Sequence, residues 1–578
     1  MPRMEIRPTA QNMTPVLQKI LQQLQSGTVL EFAPGDYHFY PEGTHFGYFA
    51  PSNNWASEKH VVFTLFDADN ITLEGNGANF IFHGRISPFI IQRCSNLILR
   101  NFTVDFAFPR IFQAEVVACN NDYLDLHMDA SRFPCYVRDG KLIFRLEETE
   151  VSGYTYLFYH DADMELEHKP WPRRWNMGYL VTGQSPEAIQ NDPFCHPMQS
   201  VPMLTRAEDL GGGMFRFHHL EGSVRHPYRP GSRLAVQFER YRDNDTFFLE
   251  DCKDVLFDRV TIYRGCSMGV IAQICENITL DHMHIGCKKG RDDLISTTAD
   301  SLMFVDCAGK ITLKNSYIAQ SLDDGLNQHG TYTRLHRADE KSILAELTHI
   351  EQKGFNPFRP GDTLHVIDED TLAYTAELTV TASRLCADEK HIHLTLAQPL
   401  PDCVRENSFI ENYTRMPEVE IKNNTFYRTT SILVSTPKPI RIQGNHFNTL
   451  CETLRLRDCP GNWMESGRIT DALVENNTFD HCCEWVDTSD GAKLTVINIV
   501  ERYKRKELKP DIHKNIRITG NRFIGRNSRL IYAECTDGLE ISGNTYEGEN
   551  ALTLRAEESP FTICCCRNVR MHDNTMIF

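Results

Sequence analysis

A polar turn followed by an apolar-x-apolar triplet recurs eleven times along this chain, and that recurrence leaves few folds open. It reads Asn70-Ile-Thr-Leu, Asn96-Leu-Ile-Leu, Asp254-Val-Leu-Phe, Asn277-Ile-Thr-Leu and Lys310-Ile-Thr-Leu. It continues as Glu418-Val-Glu-Ile, Pro439-Ile-Arg-Ile, Asp471-Ala-Leu-Val, Asn515-Ile-Arg-Ile, Gly538-Leu-Glu-Ile and Asn568-Val-Arg-Met. Alternation with period two marks a strand. Spacings of 21 to 33 residues, with one of 44 and two large gaps, stack each strand on its counterpart one coil away. The expected fold is all-β, a parallel β-helix, right-handed by the crossover rule. Asn tolerates left-handed backbone at turns, so the N-x-Thr triplets at Asn70, Asn277 and Asn423 read as turn ladders rather than glycosylation sites.

The repeat lapses twice, over about 107–240 and 334–412. Each gap holds a Pro-Gly turn between alternating residues, Tyr228-Arg-Pro-Gly-Ser-Arg-Leu-Ala-Val and Phe358-Arg-Pro-Gly-Asp-Thr-Leu-His-Val. Such turns predict two small antiparallel β-barrels inserted into the helix. The division is then 1–106 for the N-terminal cap and first coils, 107–240 for the first barrel-like insertion and 241–333 for the coils bearing an acidic cluster. The second insertion takes 334–412 and the last coils 413–578. Thr14 as N-cap and Pro15 at the first helical position open a short amphipathic helix carrying Val16, Leu17, Ile20, Leu21 and Leu24. Laid across the first coil, it would cover an exposed sheet edge. The first strand is expected at Thr28.

Composition removes several functions. A formal net charge of −17 argues against a nucleic-acid partner, whose phosphates reward a basic face. No apolar run reaches the roughly 18 residues of a membrane span. The 19 cysteines follow neither a disulfide framework nor zinc-ligand spacing, and read as reduced, largely buried thiols. No apolar h-region follows Met1-Pro-Arg, so no signal peptide is expected in the given chain; a periplasmic or secreted location would require a leader removed from it. An oligomer is compatible with the chain and is not specifically predicted.

Chemistry concentrates between Leu294 and Tyr332. Asp300 and Asp324 stand 24 residues apart, each just ahead of an equivalent strand, so one coil returns Asp324 beside Asp300, about 4.8 Å away. Asp323 adjoins Asp324, and a bend eased by Gly325 would let both face one cleft. Stacked like charges repel, a cost that function can justify. Carboxylates held in different protonation states are the apparatus of glycoside hydrolysis.

Asp300, Asp323-Asp324 and His329-Gly330 together resemble the acidic constellation of the family-28 polygalacturonases, which are β-helical inverting hydrolases. Where that family carries Arg-Ile-Lys, this chain has Arg441-Ile-Gln443 and lacks the lysine that grips a uronate. A closer resemblance is to glycoside hydrolase family 110, the exo-acting α-1,3-galactosidases. It rests on Ala299-Asp300-Ser-Leu-Met-Phe with Cys307-Ala-Gly-Lys, Asp323-Asp324 with His329-Gly-Thr, and Gly354-Phe-Asn with Gly361-Asp362-Thr. Pro417-Glu-Val-Glu-Ile and Trp463-Met-Glu-Ser-Gly complete it. The resemblance implies an inverting hydrolase, without metal or cofactor, acting on carbohydrate with a terminal α-galactose, blood-group-B-like or linear. It implies Asp323 as general acid, with Asp300 and Asp324 activating water.

Around these, His329 is a candidate to bind sugar or tune Asp324, and Trp463 to stack on a sugar face with Glu465 beside it. Lys438, Arg455, Arg457 and Asp458 are further candidates for the pocket wall. Asp292-Asp293 reads as a solvated turn. Two other readings share the same scaffold: a different β-helical carbohydrate enzyme, hydrolase or lyase, and a non-catalytic glycan-binding solenoid.

Overall fold

A computed structural model describes the chain except residues 1, 110, 148, 152–154, 161–177, 181–202, 220–229, 232, 238–241, 243, 462, 484–493, 501–508, 510, 528, 549–558 and 578. Tyr228, Arg229 and Ser232 of the first Pro-Gly phrase therefore lie outside the described residues.

The third residue after each repeated turn forms one continuous interior column. Leu73 pairs in parallel register with Leu99, then Phe257, Leu280 and Leu313. The column continues inside through Ile421, Ile442, Val474, Ile518 and Ile541, and ends at Met571, which is exposed on the last coil. The pairing of Leu99 with Phe257, and of Leu313 with Ile421, carries it across both lapses of the repeat. Each inserted segment leaves the coil and returns to the next rung without loss of register. The molecule is a parallel β-helix. A typical coil gives two strands to one long sheet and one to a facing sheet, as Glu276–Asp281, His284–Ile285 and Leu302–Val305 do. The inward residues merge into a single core along the axis.

The turns show why asparagine is needed. Asn70, Asn96, Asn277 and Asn423 all adopt left-handed backbone, with φ of 53° to 57°. The side-chain ladder runs in a second column, one residue beyond Asn423: Asn424, Asn445, Asn477, Asn521, Asn544 and Asn574. Each amide donates to the carbonyl oxygen of the next, at 2.9 to 3.0 Å, and to a backbone carbonyl of the coil before. Phe426, Phe447, Phe479 and Phe523 stack alongside, with centroids 4.8 to 5.3 Å apart.

Thr14–Leu21 is helical and buries Leu17 in the core. Its N-cap is Met13, not Thr14, because the Thr14 hydroxyl is engaged with Tyr40, donating to its carbonyl at 2.9 Å and accepting from its N–H at 3.0 Å. A strand absent from the sequence reading, Arg3–Ile6, pairs in parallel with Val29–Phe32 and begins the solenoid.

Seven strands between Ile111 and Gln237 form a closed barrel beside a three-stranded sheet, Cys135–Arg138, Lys141–Leu146 and Thr149–Val151. A second closed barrel contains Thr333–Arg337, Ser342–Glu346, Thr363–Ile367, Tyr374–Leu385, His391–Leu396 and Phe409–Asn412. Each has its own apolar core. Among the described residues no helix is long and apolar enough to cross a membrane. The described cysteines are all free thiols, eight of them buried.

Candidate active site

Two neighbouring rungs build the centre of the site. Leu302–Val305 pairs with Leu326–Thr331, Met303 opposite Asn327, and the turns ahead of them are joined by a bridge between Thr297 and Ser321. The Ser301 N–H donates to the Asp324 carbonyl at 2.8 Å. Asp300 and Asp324 are thus equivalent positions one rung apart, a strand spacing of about 4.8 Å. Asp323 and Asp324 lie in the bend before the strand, where the rule that successive side chains face opposite ways does not operate. Gly325 serves close packing there rather than left-handed backbone: a Cβ would stand 3.0 Å from both Phe426 Cδ1 and Thr429 Oγ1, which would have to give way.

Environment separates the three carboxylates. Asp300 is 2% exposed and Asp324 4%, whereas the Asp323 side chain is 32% exposed. Burial, then the Asp323 and Asp324 charges, hold the Asp300 carboxyl well above the usual carboxylate range. Burial also raises Asp324, with Arg455 pulling the other way and Asp323 adding to the rise. Arg455 Nη1 lies 3.6 Å from Asp324 Oδ1, and the Thr430 hydroxyl donates to the same oxygen at 2.8 Å. Asp323 Oδ2 accepts from Arg242 Nη2 at 3.0 Å, and its Oδ1 from the Asp324 N–H at 3.1 Å.

Arg242 enters from the end of the first insertion. Its backbone is left-handed, φ 71°, and its Nη1 donates to the Asn53 carbonyl at 2.9 Å. The guanidinium carbon is 5.0 Å from the Trp463 ring centroid, and Trp463 lies 4.5 Å from the His349 ring. Trp463 is half-buried in this stack. Glu465 is fixed by pairing with Thr331, and its Oε1 accepts from Asn327 Nδ2 at 3.2 Å.

His329 is fully enclosed. Its Nδ1 faces the Gly330 carbonyl at 2.8 Å, an acceptor, so that nitrogen carries the proton. Nε2 then accepts from Asn53 Nδ2 at 3.2 Å, with Glu465 Oε1 at 3.9 Å. The ring therefore reaches the cluster through Asn53 and Glu465.

Arg455, Trp463 and Glu465 gather at the aspartates. Asp458 belongs to a different buried set. It accepts from the Tyr332 hydroxyl at 2.9 Å, and burial pushes its carboxyl up to about 6. Arg457 donates to Asn498 Oδ1 at 3.3 Å. The Lys438 ammonium lies 3.8 Å from the Tyr413 ring centroid, against the turn that leaves the second barrel. Asp292-Asp293 is not a solvated turn: Asp293 is buried and paired with Arg264 at 2.8 Å and with Arg291, while Asp292 meets Arg233 at 2.6 Å. Four guanidiniums of two coils and an insertion, counting Arg132, gather there, and the acid pair answers them. Among the described residues no group of three His, Cys, Asp or Glu side chains is arranged to hold a metal ion.

Sequence reasoning missed Arg242, Asn53, Thr430 and Glu351. Arg242, Asn53 and Glu351 lie in connections outside the repeat, where no period announces a partner; Thr430 lies on the rung after Asp324 but carries no charge to draw notice.

A parallel β-helix with three carboxylates at one strand entrance, two buried and one reaching solvent, is equipped to move protons at a bound molecule. Residues 342–410 match the family model for GLAA-B beta-barrel domain II. The chain is 29% identical over 538 residues to an α-1,3-galactosidase A of Shewanella woodyi, spanning 92% of this chain and 82% of that protein. It is 26% identical over 570 residues to an α-1,3-galactosidase B of Bacteroides thetaiotaomicron, spanning 97% and 88%. The resemblance to family 110 read from scattered motifs thus extends over most of the chain. The solved Streptococcus pneumoniae surface protein and adhesin PfbA aligns with 99% of this chain and 95% of its own at 10% identity. Its TM-score of 0.36 is too low to bear on the fold, which the strand pairings define.

Proposed function

We propose that this chain is an inverting exo-glycosidase that hydrolyses terminal α-1,3-linked galactose from oligosaccharides or glycoconjugates, blood-group-B-like or linear. The observation that carries the reading is the stacking of Asp300 on Asp324 with the solvent-reaching Asp323 beside them; the α-1,3-galactosidases it resembles supply the substrate class.

Asp323 is the general acid. It alone of the three reaches solvent, and its carboxyl proton passes to the glycosidic oxygen as the bond to C1 breaks. Asp300 and Asp324 orient a water on the opposite face and take its proton as the water oxygen bonds to C1. Low dielectric and neighbouring charge make Asp300 a strong base once it is ionised, since the proton affinity that burial creates is the affinity a base needs. Arg455 supports the anionic form of Asp324. Attack opposite to departure delivers β-galactose from an α-linkage.

Asp300→Asn, Asp323→Asn and Asp324→Asn are each expected to cut kcat on an α-1,3-galactosyl disaccharide by about 10²–10⁴-fold. Proton NMR of the wild-type reaction is expected to show the β-anomer first. Undiminished turnover by the three variants, or α-galactose as first product, would overturn the reading.

A further inference from the structure

The short 3₁₀ turn Ile350–Gln352, inside the second insertion, delivers a fourth carboxylate that the repeat does not supply. Glu351 is 1% exposed, and among the described residues neither of its oxygens has a hydrogen-bond donor. Its ion partner is Arg242, whose Nη1 is 3.7 Å from Oε2. The same guanidinium holds Asp323 through Nη2 at 3.0 Å. One buried cation is therefore divided between the proposed acid and a carboxylate enclosed behind it. A buried carboxylate without donors is costly, and an uncharged side chain of that size would avoid the cost. Enclosure also removes Glu351 from direct contact with a sugar.

Resting on the reading of Asp323 as the acid, we propose that Glu351 is a positioning residue: by taking a share of Arg242 it weakens the cation's hold on Asp323 and lets that carboxyl keep the proton the leaving sugar needs. The surrounding charges fit this division. Arg242 also faces Asp300 and, behind it, Asp245, which is itself offset by Lys59. His349 packs on Trp463 beside the guanidinium, and burial with the Arg242 charge pushes it down to about 4, so it is neutral where the enzyme would work. Burial pushes Glu351 up to about 7, Arg242 drawing it back and Asp323 pushing it further. As pH rises through that value Glu351 becomes anionic and claims more of Arg242.

The test measures kcat/KM against pH for the wild type, Glu351→Gln and Glu351→Asp. Two substrates are used, an α-1,3-galactosyl disaccharide and 2,4-dinitrophenyl α-galactoside, whose leaving group departs without a proton. For Glu351→Gln on the disaccharide, the basic limb is expected to move down by about one pH unit, a roughly tenfold loss above it. KM should stay within about twofold, as expected where transition-state but not ground-state interaction is lost. Little loss is expected on the dinitrophenyl substrate, and Glu351→Asp should return the limb toward the wild-type position. An unmoved limb, a raised KM with an unmoved limb, or equal losses on both substrates would overturn the proposal. Asp323→Asn, run alongside, separates the two readings. If it keeps disaccharide turnover, the acid assignment itself fails. If it loses that turnover while Glu351→Gln leaves the limb in place, the inference about Glu351 alone falls.

Discussion

Asp306 shows what burial does to a single acid in this chain. It is wholly enclosed, accepts from the Thr331 N–H at 3.1 Å, and is pushed up to about 7, chiefly by burial. Below the unfolded value, near 3.9, both states hold the proton. Between about 4 and 7 the unfolded chain releases it and the native chain does not, so stability falls as pH rises across that window. Asp306→Asn has no proton to lose. Its stability relative to wild type is expected to improve between pH 5 and pH 7, by at most about 1.4 kcal/mol per pH unit, measured as the shift in denaturant midpoint. A constant difference across that range would show that Asp306 is ionised in the native state. The residue scale is also where legibility varied most. Asp300 and Asp324 could be paired from text alone because a repeat converts sequence distance into rungs. Arg242, Asn53 and Glu351 could not, since their positions depend on how irregular connections close over the coil. Asp293 was misjudged for the same reason: its arginine partners come from Arg264 on the previous coil and from a local turn, and charge spacing alone does not display them.

Among the elements, the asparagine column is the part whose logic is local. Asn477 donates to the Ile442 carbonyl at 2.8 Å, and its own carbonyl oxygen receives the Asn445 N–H at 2.9 Å. Both backbone groups are inside the molecule and have no water to turn to. Asn477→Ala is expected to cost about 2–6 kcal/mol, from two stranded groups at roughly 1–3 kcal/mol each. Asn79→Ala, whose exposed amide meets Asp36, should cost under about 1 kcal/mol. Equal midpoints for the two variants in urea unfolding would remove the ladder's claim to hold the corner. The strands themselves were readable because inward residues alternate; the column of amides was placed one turn away from where it runs. The turn asparagines chosen from the text supply left-handed backbone, and Asn277 also reaches Asp254 one coil away at 2.9 Å, but the continuous amide ladder starts at the residue after Asn423.

At the scale of the whole molecule, the solenoid carries the order and the insertions carry the departures from it. Eleven repeats were enough to give the axis, its core and the two places where the chain leaves. Which residue of the second insertion meets Arg242 was not available, because it depends on packing between segments with no shared period. The N-terminal end depends on a similar contact. Leu17 of the capping helix is fully buried against the first coils. Leu17→Asp should lift the helix, bare a sheet edge and yield self-associated species by size-exclusion chromatography. A monomeric, equally stable variant would mean that the Arg3–Ile6 strand covers the end unaided.

The Arg242 guanidinium touches groups from four stretches of chain, among them Asn53 and Trp463, more than 400 positions apart. During synthesis the earliest of these leaves the ribosome long before the last has been made. Stacked rungs can settle one upon another as they emerge, yet the contacts of Arg242 and Asn327 stay incomplete until Trp463 and Glu465 have been made. A nascent chain can therefore hold most of its coils while Arg242 still lacks part of its surroundings.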